Sequence, residues 1–235
     1  FNIVALAGRA VICRGRLMIK LEKDGNIHVA TMNNKENMIS PEWQDRMLEI
    51  LDIVESDCAA GAAMVLIGED KFFCNGLDLE AMMDLDQPDS EEFGRKMMDI
   101  HRRMLLLPMP TVAALNGHAF AGGAFVAMSC DYRIMREDRG WICISEVDVG
   151  VALPDAVMEI LRGKVPPATV RDAILTGKRY AADEAIAAGF ADAKAPIEFL
   201  LDAAKELAAS LATKEPGIFK AIKQTYFSSM ANGLK

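Results

Sequence analysis

The sequence has no surplus of positive charge: 26 lysines and arginines stand against 34 aspartates and glutamates, a net charge of −8 over 235 residues. Little is there to displace the counterions of a nucleic-acid backbone, so no nucleic-acid partner is expected and a small molecule or a protein is. The chain also lacks any CxxC pair. Its five cysteines, Cys13, Cys58, Cys74, Cys130 and Cys143, are odd in number and scattered. That pattern argues against a disulfide framework and a zinc site and predicts reduced thiols in the cytoplasm. No apolar run is long and unbroken enough to predict a membrane span, because Thr111 to Met128 is interrupted by Asn116, Gly117, His118, Gly122 and Gly123. Tandem repeats and low-complexity segments are absent. The opening "FNIVALAGRAVICRGR" does not follow signal-peptide order, and residues 1–16 are set apart as an N-terminal extension.

Three catalytic signatures are missing as well. There is no G-x-G-x-x-G, no Lys-Ser or Lys-Thr after Gly123, and no G-x-S-x-G, so neither nucleotide fingerprint nor a nucleophile elbow is met. The three histidines, His28, His101 and His118, fall in a hairpin, a helix and a loop, which gives no serine–histidine triad.

What is present reads as alternating β and α structure. "LMIKLEKDGNIHVATM" alternates apolar and polar residues around Asp24-Gly25 and predicts an opening hairpin. "ISPEWQDRMLEILDIVES" predicts a helix with Ser40 as N-cap, Pro41 in first position and Trp43, Met47, Leu48, Leu51 and Val54 on one face. "AAMVLIGED" and "TVAALNG" are buried-strand runs separated by the helical patterns "LDLEAMMDLD" and "SEEFGRKMMDIHRRMLLLP", an order that predicts a crossover and a largely parallel sheet. "GGAFVAMSC" reads as a helix, "DYRIM" and "GWICI" as strands, and everything from Pro154 onward as helices. The expected fold class is therefore α/β, with a core over residues 17–195 and a helical C-terminal region over 196–235.

Two glycine turns follow strands of parallel type, the place where ligands collect in open α/β sheets. One is "KFFCNGLDL", where Asn75-Gly76 forces a turn before Leu77; the other is "NGHAFAGGAFVAMSCD". Backbone N–H groups at a helix start can hold a carbonyl oxygen that becomes an enolate, and glycine admits the substrate closely. Gly122 and Gly123 equally permit tight helix packing, and both readings stand. Asp78 reads as a helix N-cap.

With these segments in place, the chain resembles the enoyl-CoA hydratase/isomerase, or crotonase, superfamily. "FFCNGLDL" matches its first oxyanion loop, "NGHAFAGGAFVAMSCDYRI" its second, and "ISEVDVG" the segment that follows, so the likeness runs from about Leu17 nearly to the C-terminus. The resemblance implies a ββα spiral core, a helical tail that joins subunits into a homotrimer or a dimer of trimers, and an acyl-CoA thioester as substrate. No metal or separate cofactor is implied, since coenzyme A is part of the substrate. It places the two oxyanion-hole N–H groups on Leu77 and Gly122. It puts Gly76, Gly123, Phe125, Lys35 and Lys71 around the substrate, with Lys220 or Lys223 as further candidates for the phosphates.

Hydratases of the family use two glutamates. The first position falls here on Phe125, which can neither accept a proton nor orient a water. The second falls on Glu146, which by itself reads as a solvated loop residue or helix cap and, within the resemblance, as the catalytic base. One base and one oxyanion hole suffice to shift a double bond, so the branch implied is the 3,2-enoyl-CoA isomerases of fatty-acid degradation. Pro154 falls where the isomerases have theirs, although Asp155 and Ala156 replace the bulky aromatic that often follows. The alternatives are another crotonase-type enzyme (hydratase, hydrolase or decarboxylase), with Asp148 or His118 as a second group, or a non-catalytic acyl-CoA-binding subunit. Met82, Met83, Met97 and Met98 read as core or as a deformable acyl-pocket wall.

Overall fold

The computed structural model describes residues 18–34, 36–58 and 61–234. The extension over residues 1–16 and the candidate residue Lys35 lie outside the described residues. The first half of the chain carries β1 (Ile19–Asp24), β2 (Ile27–Met32), α1 (Pro41–Ser56), β3 (Ala63–Gly68), β4 (Phe72–Cys74), α2 (Leu79–Met83), α3 (Gln87–Leu106), β5 (Thr111–Leu115) and β6 (His118–Phe120). The remainder carries α4 (Gly122–Ser129), β7 (Tyr132–Arg136), β8 (Ile142–Cys143), α5 (Glu146–Val149), α6 (Asp155–Lys164), α7 (Pro167–Thr176), β9 (Arg179–Tyr180), α8 (Ala182–Ala188), β10 (Ala193–Ala195), α9 (Ile197–Ala212) and α10 (Pro216–Gly233).

The hairpin forms as the alternation predicts, with Asp24 opposite Ile27 and Gly25 at a φ of 59° in the turn. Ser40 caps α1 by accepting the Trp43 N–H, and Pro41 occupies the first turn, where no intrahelical acceptor is lost. The buried face of α1 includes Gln44 and Ile50 beside Trp43, Met47, Leu51 and Val54, while Leu48 is half-buried.

Strands alternate between two sheets, in the orders β1-β2-β3-β5-β7-β10 and β4-β6-β8-β9. Each of the units β3-β4, β5-β6 and β7-β8 gives its first strand to the large sheet and its second to the small one before the chain enters a helix. That is the ββα spiral. Its consequence is positional: the turns after the parallel strands β4, β6 and β8 come out at the same end of the small sheet, where α2, α4 and α5 begin.

The large sheet is covered on both faces, as its continuous apolar runs require. Ala63, Val65, Val112, Ala114 and Ile134 face α9, whose Leu200, Ala204, Ala208 and Ala212 recur at a four-residue spacing; the alanines let the helix approach the strands closely. The alternate residues Met64, Leu66, Ala113 and Leu115 face the main core with α1, α3 and α4.

Two corrections follow. The stretch after Pro154 is not all helical, because β9 and β10 lie within it. The segment 71–79 is also more than a turn, since β4 pairs in parallel with β6. Strands of two or three residues are too short to show a period of two, so only their pairing partners reveal them.

Lys223 of α10 is buried. Its ammonium donates to Asp131 at 2.7 Å and to the Met109 carbonyl at 3.0 Å, tying the last helix to the start of β7. It is a structural anchor and not a phosphate contact; Lys220 is exposed. Removing one partner of a buried pair strands the other charge. Lys223→Ala is expected to cost roughly 3 kcal/mol in urea unfolding, whereas Lys220→Ala should stay within about 0.5 kcal/mol.

Candidate active site

The two glycine turns meet. After β4 the chain reverses at Gly76, whose φ of 90° is left-handed, and a β-carbon there would lie 3.0 Å from the Phe120 carbonyl oxygen and 3.1 Å from Ala121 Cβ. Glycine is needed for both reasons. Ile39 then donates its N–H to the Gly76 carbonyl at 2.8 Å, and Asp78 donates to the Ile39 carbonyl at 2.9 Å. In such a parallel bridge the residue between, Leu77, turns its own N–H away from Ile39. Asp78 caps α2 by accepting the Ala81 N–H at 3.1 Å, so its carboxylate has the structural role its sequence position implied.

The second turn delivers α4. Its N-cap, Ala121, sits at φ 48° and ψ −123°, an uncommon conformation for a residue with a β-carbon, and offers no side-chain cap. Gly122 opens the helix, so its N–H has no carbonyl one turn earlier to receive it. The paired glycines divide the two roles the sequence left open. A β-carbon on Gly123 would lie 2.7 Å from the Cys74 Cβ and carbonyl carbon, with no room for it; one on Gly122 would meet the side-chain ends Ile39 Cδ1 at 3.3 Å and Leu77 Cδ2 at 3.4 Å, and the Gly76 Cα at an ordinary contact distance of 3.7 Å. Gly123 is the packing glycine, and Gly122 lines the cavity.

Leu77, Gly122, Phe125 and Glu146 all line one cavity of about 880 Å³. Phe125, on the first turn of α4, is 2 % exposed. Glu146 begins α5 and is 7 % exposed, the buried carboxylate among the acids of this wall; Glu36, Glu80 and Asp148 are exposed and Asp78 is half-buried. Its Oε2 has no hydrogen-bond partner among the described residues, and burial raises its pKa above the ordinary glutamate value. A carboxylate held this way is a stronger base than one in water.

Of the other candidates among the described residues, Asp148, Met97 and Met98 share the wall and the rest lie outside it. Asp148, within the helical turn of α5, is separated from Glu146 and lies against Gly177, its Cγ 2.8 Å from where a β-carbon would stand. Asp155 opens α6 outside the cavity wall. Lys71 is exposed, lies outside the wall, and holds its ammonium 5.0 Å from the Phe72 ring. His118 also lies outside the wall, stacked on Phe120 at 5.0 Å and against Trp141 at 4.9 Å, its pKa lowered by burial and then by Lys71, Arg139 and Arg179. Met97 and Met98 do form wall, Met82 packs on the core, and Met83 is solvent-exposed.

The structure adds residues that no motif marked. Arg179 lines the cavity with its guanidinium over Trp141 at 5.3 Å and Phe120 at 5.7 Å. His101 of α3 lines it too, fully buried. The one available signal for His101 was a polar residue four after Met97 and three before Met104, on the buried stripe of α3. Among the described residues no three His, Cys, Asp or Glu side chains group closely enough to hold a metal ion. No helix among them is long and apolar enough to cross a membrane.

Comparison with known proteins agrees with this architecture. The enoyl-CoA hydratase/isomerase family pattern matches residues 22–234, and the chain belongs to that family. It is 34 % identical over 205 residues to enoyl-CoA delta isomerase 3 of Arabidopsis thaliana, covering 84 % of this chain and 86 % of that one. It is also 34 % identical over 223 residues to a putative enoyl-CoA hydratase of Thermus thermophilus, covering 93 % and 87 %. A solved probable enoyl-CoA hydratase from Mycobacterium tuberculosis superposes with a TM-score of 0.87 at 26 % identity, covering 92 % and 91 %. Names of both reactions attach to one fold, so the fold alone does not choose between them.

The division of labour between the glycines is testable by stability. Gly123→Ala should lower unfolding free energy by about 2–3 kcal/mol as the α4 turn is forced off β4. Gly122→Ala should fold with a midpoint close to the parent.

Proposed function

We propose that the chain is a 3,2-enoyl-CoA isomerase acting in fatty-acid degradation. The observation that carries the reading is the pairing of Glu146, buried and without a hydrogen-bond partner for Oε2, with Phe125 at the position where the resemblance requires a hydratase's other acid. The Glu146 carboxylate removes a proton from C2 of a 3-enoyl thioester. The electron pair moves toward the thioester oxygen, where the Leu77 and Gly122 N–H groups stabilise the enolate; each such donor is worth about 10²–10³ in rate. Glu146 then returns the proton at C4, the enolate collapses, and the double bond lies between C2 and C3.

No water enters this cycle, and an apolar Phe125 ring in the wall keeps water from the dienolate. The curated isomerases at 34 % identity support the same branch. The reaction needs no metal or separate cofactor. The reading includes a homotrimer or dimer of trimers in the cytoplasm. Exposed Phe199, Ile218, Ile222 and Tyr226 on α9 and α10 support association, and free buried Cys74, Cys130 and Cys143 suit a reducing compartment.

Purified protein mixed with a 3-enoyl-CoA should develop the absorbance of the conjugated thioester. Glu146→Gln should lower kcat by about 10³ or more, since general base catalysis and the return proton are lost together; near-parental activity in that variant would refute the assignment. Because burial raises the Glu146 pKa, and the base works only when ionised, kcat/KM should rise with pH. Its acidic limb should have a midpoint above the ordinary glutamate value of about 4.3, and Glu146→Gln should lose that limb.

A further inference from the structure

His101 is the unexplained polar group of the cavity. It sits on α3 with Met97 and Met98, in the wall that also holds Phe125. Its orientation is fixed from behind: the Ser129 hydroxyl donates to the Phe125 carbonyl at 2.9 Å, and the same oxygen lies 2.8 Å from His101 Nδ1. A Ser129 proton placed on the Phe125 carbonyl makes the hydroxyl an acceptor for the imidazole, an arrangement in which Nδ1 carries the hydrogen and Nε2 is a bare acceptor. No hydrogen bond joins Nε2 to any of the described residues, and His101, 1 % exposed, lines the cavity. Burial lowers the pKa to about 4, so the ring is neutral at physiological pH.

An acceptor that a bound acyl chain would cover is costly when left unmet, and a site that hydrogen-bonds a substrate hydroxyl discriminates strongly against the analogue lacking it. We propose that His101 is a specificity residue that accepts a hydrogen bond from a hydroxyl on the acyl chain, so that the preferred substrates are hydroxylated acyl thioesters and not plain hydrocarbon ones. The assignment rests on the reading of this cavity as an acyl-CoA site. It concerns recognition along the chain, apart from the proton transfer at Glu146.

The test is calorimetric binding of decanoyl-CoA and of its positional isomers hydroxylated at C5 to C10, all saturated, so that isomerase turnover plays no part in the readout. One isomer is expected to bind the parent about tenfold tighter than decanoyl-CoA, with His101→Leu reducing that preference to within about twofold while decanoyl-CoA still binds. Ser129→Ala, which frees the tautomer without altering the wall, should weaken the preference and leave decanoyl-CoA affinity nearly unchanged. Equal binding of every probe to the parent, or a preference that survives His101→Leu, overturns the proposal and leaves the isomerase reading intact. Failure of any acyl-CoA to bind overturns both.

Discussion

The close approach of two backbone turns is the constraint on which the rest of this structure depends. Gly76 and Gly123 are each in contact with the other turn's backbone, Gly76 with the Phe120 carbonyl and Gly123 with that of Cys74. Only at that separation do Leu77 and Gly122 share one cavity wall. The ββα spiral supplies the separation, because successive units put β4 and β6 side by side in the small sheet and release α2 and α4 from the same edge. Core packing of α4, buried along nearly its whole length, holds the second turn against the first.

The chemistry is concentrated by what surrounds this pair. A backbone donor cannot be protonated away or rotate out of place, so most of the specificity for one reaction over another passes to side chains. On the proposed reading, Phe125 and Glu146 make that choice. The first removes a potential water-handling group, and the second is buried enough for its charged form to be destabilised. A proton moved between two carbons by one carboxylate is the reaction such an arrangement favours over addition of water.

Much of this was legible in the sequence, for identifiable reasons. The hairpin, α1, and the strands β3 and β5 announce themselves through period, capping and burial, and the two glycine turns through Asn75-Gly76 and Gly122-Gly123. Most of the small sheet was not legible: "GWICI" marked β8, but β4, β6 and β9 have two or three residues each, and their identity lies in cross-strand partners up to 46 positions away. The same limit applies to side chains. His101 and Arg179 reach the cavity from a helix and an edge strand remote in sequence, and Lys223 proved to be an anchor because its partner Asp131 is 92 residues away.

The central claim is that one carboxylate carries one proton from C2 to C4. A 3-enoyl-CoA deuterated at C2, converted in ordinary water and analysed by mass spectrometry and NMR, tests it most directly. The account predicts product molecules that retain the label at C4, because Glu146 returns the deuteron it has just removed. Hydrogen at C4 derived solely from solvent, or a product that has gained the elements of water, would contradict it.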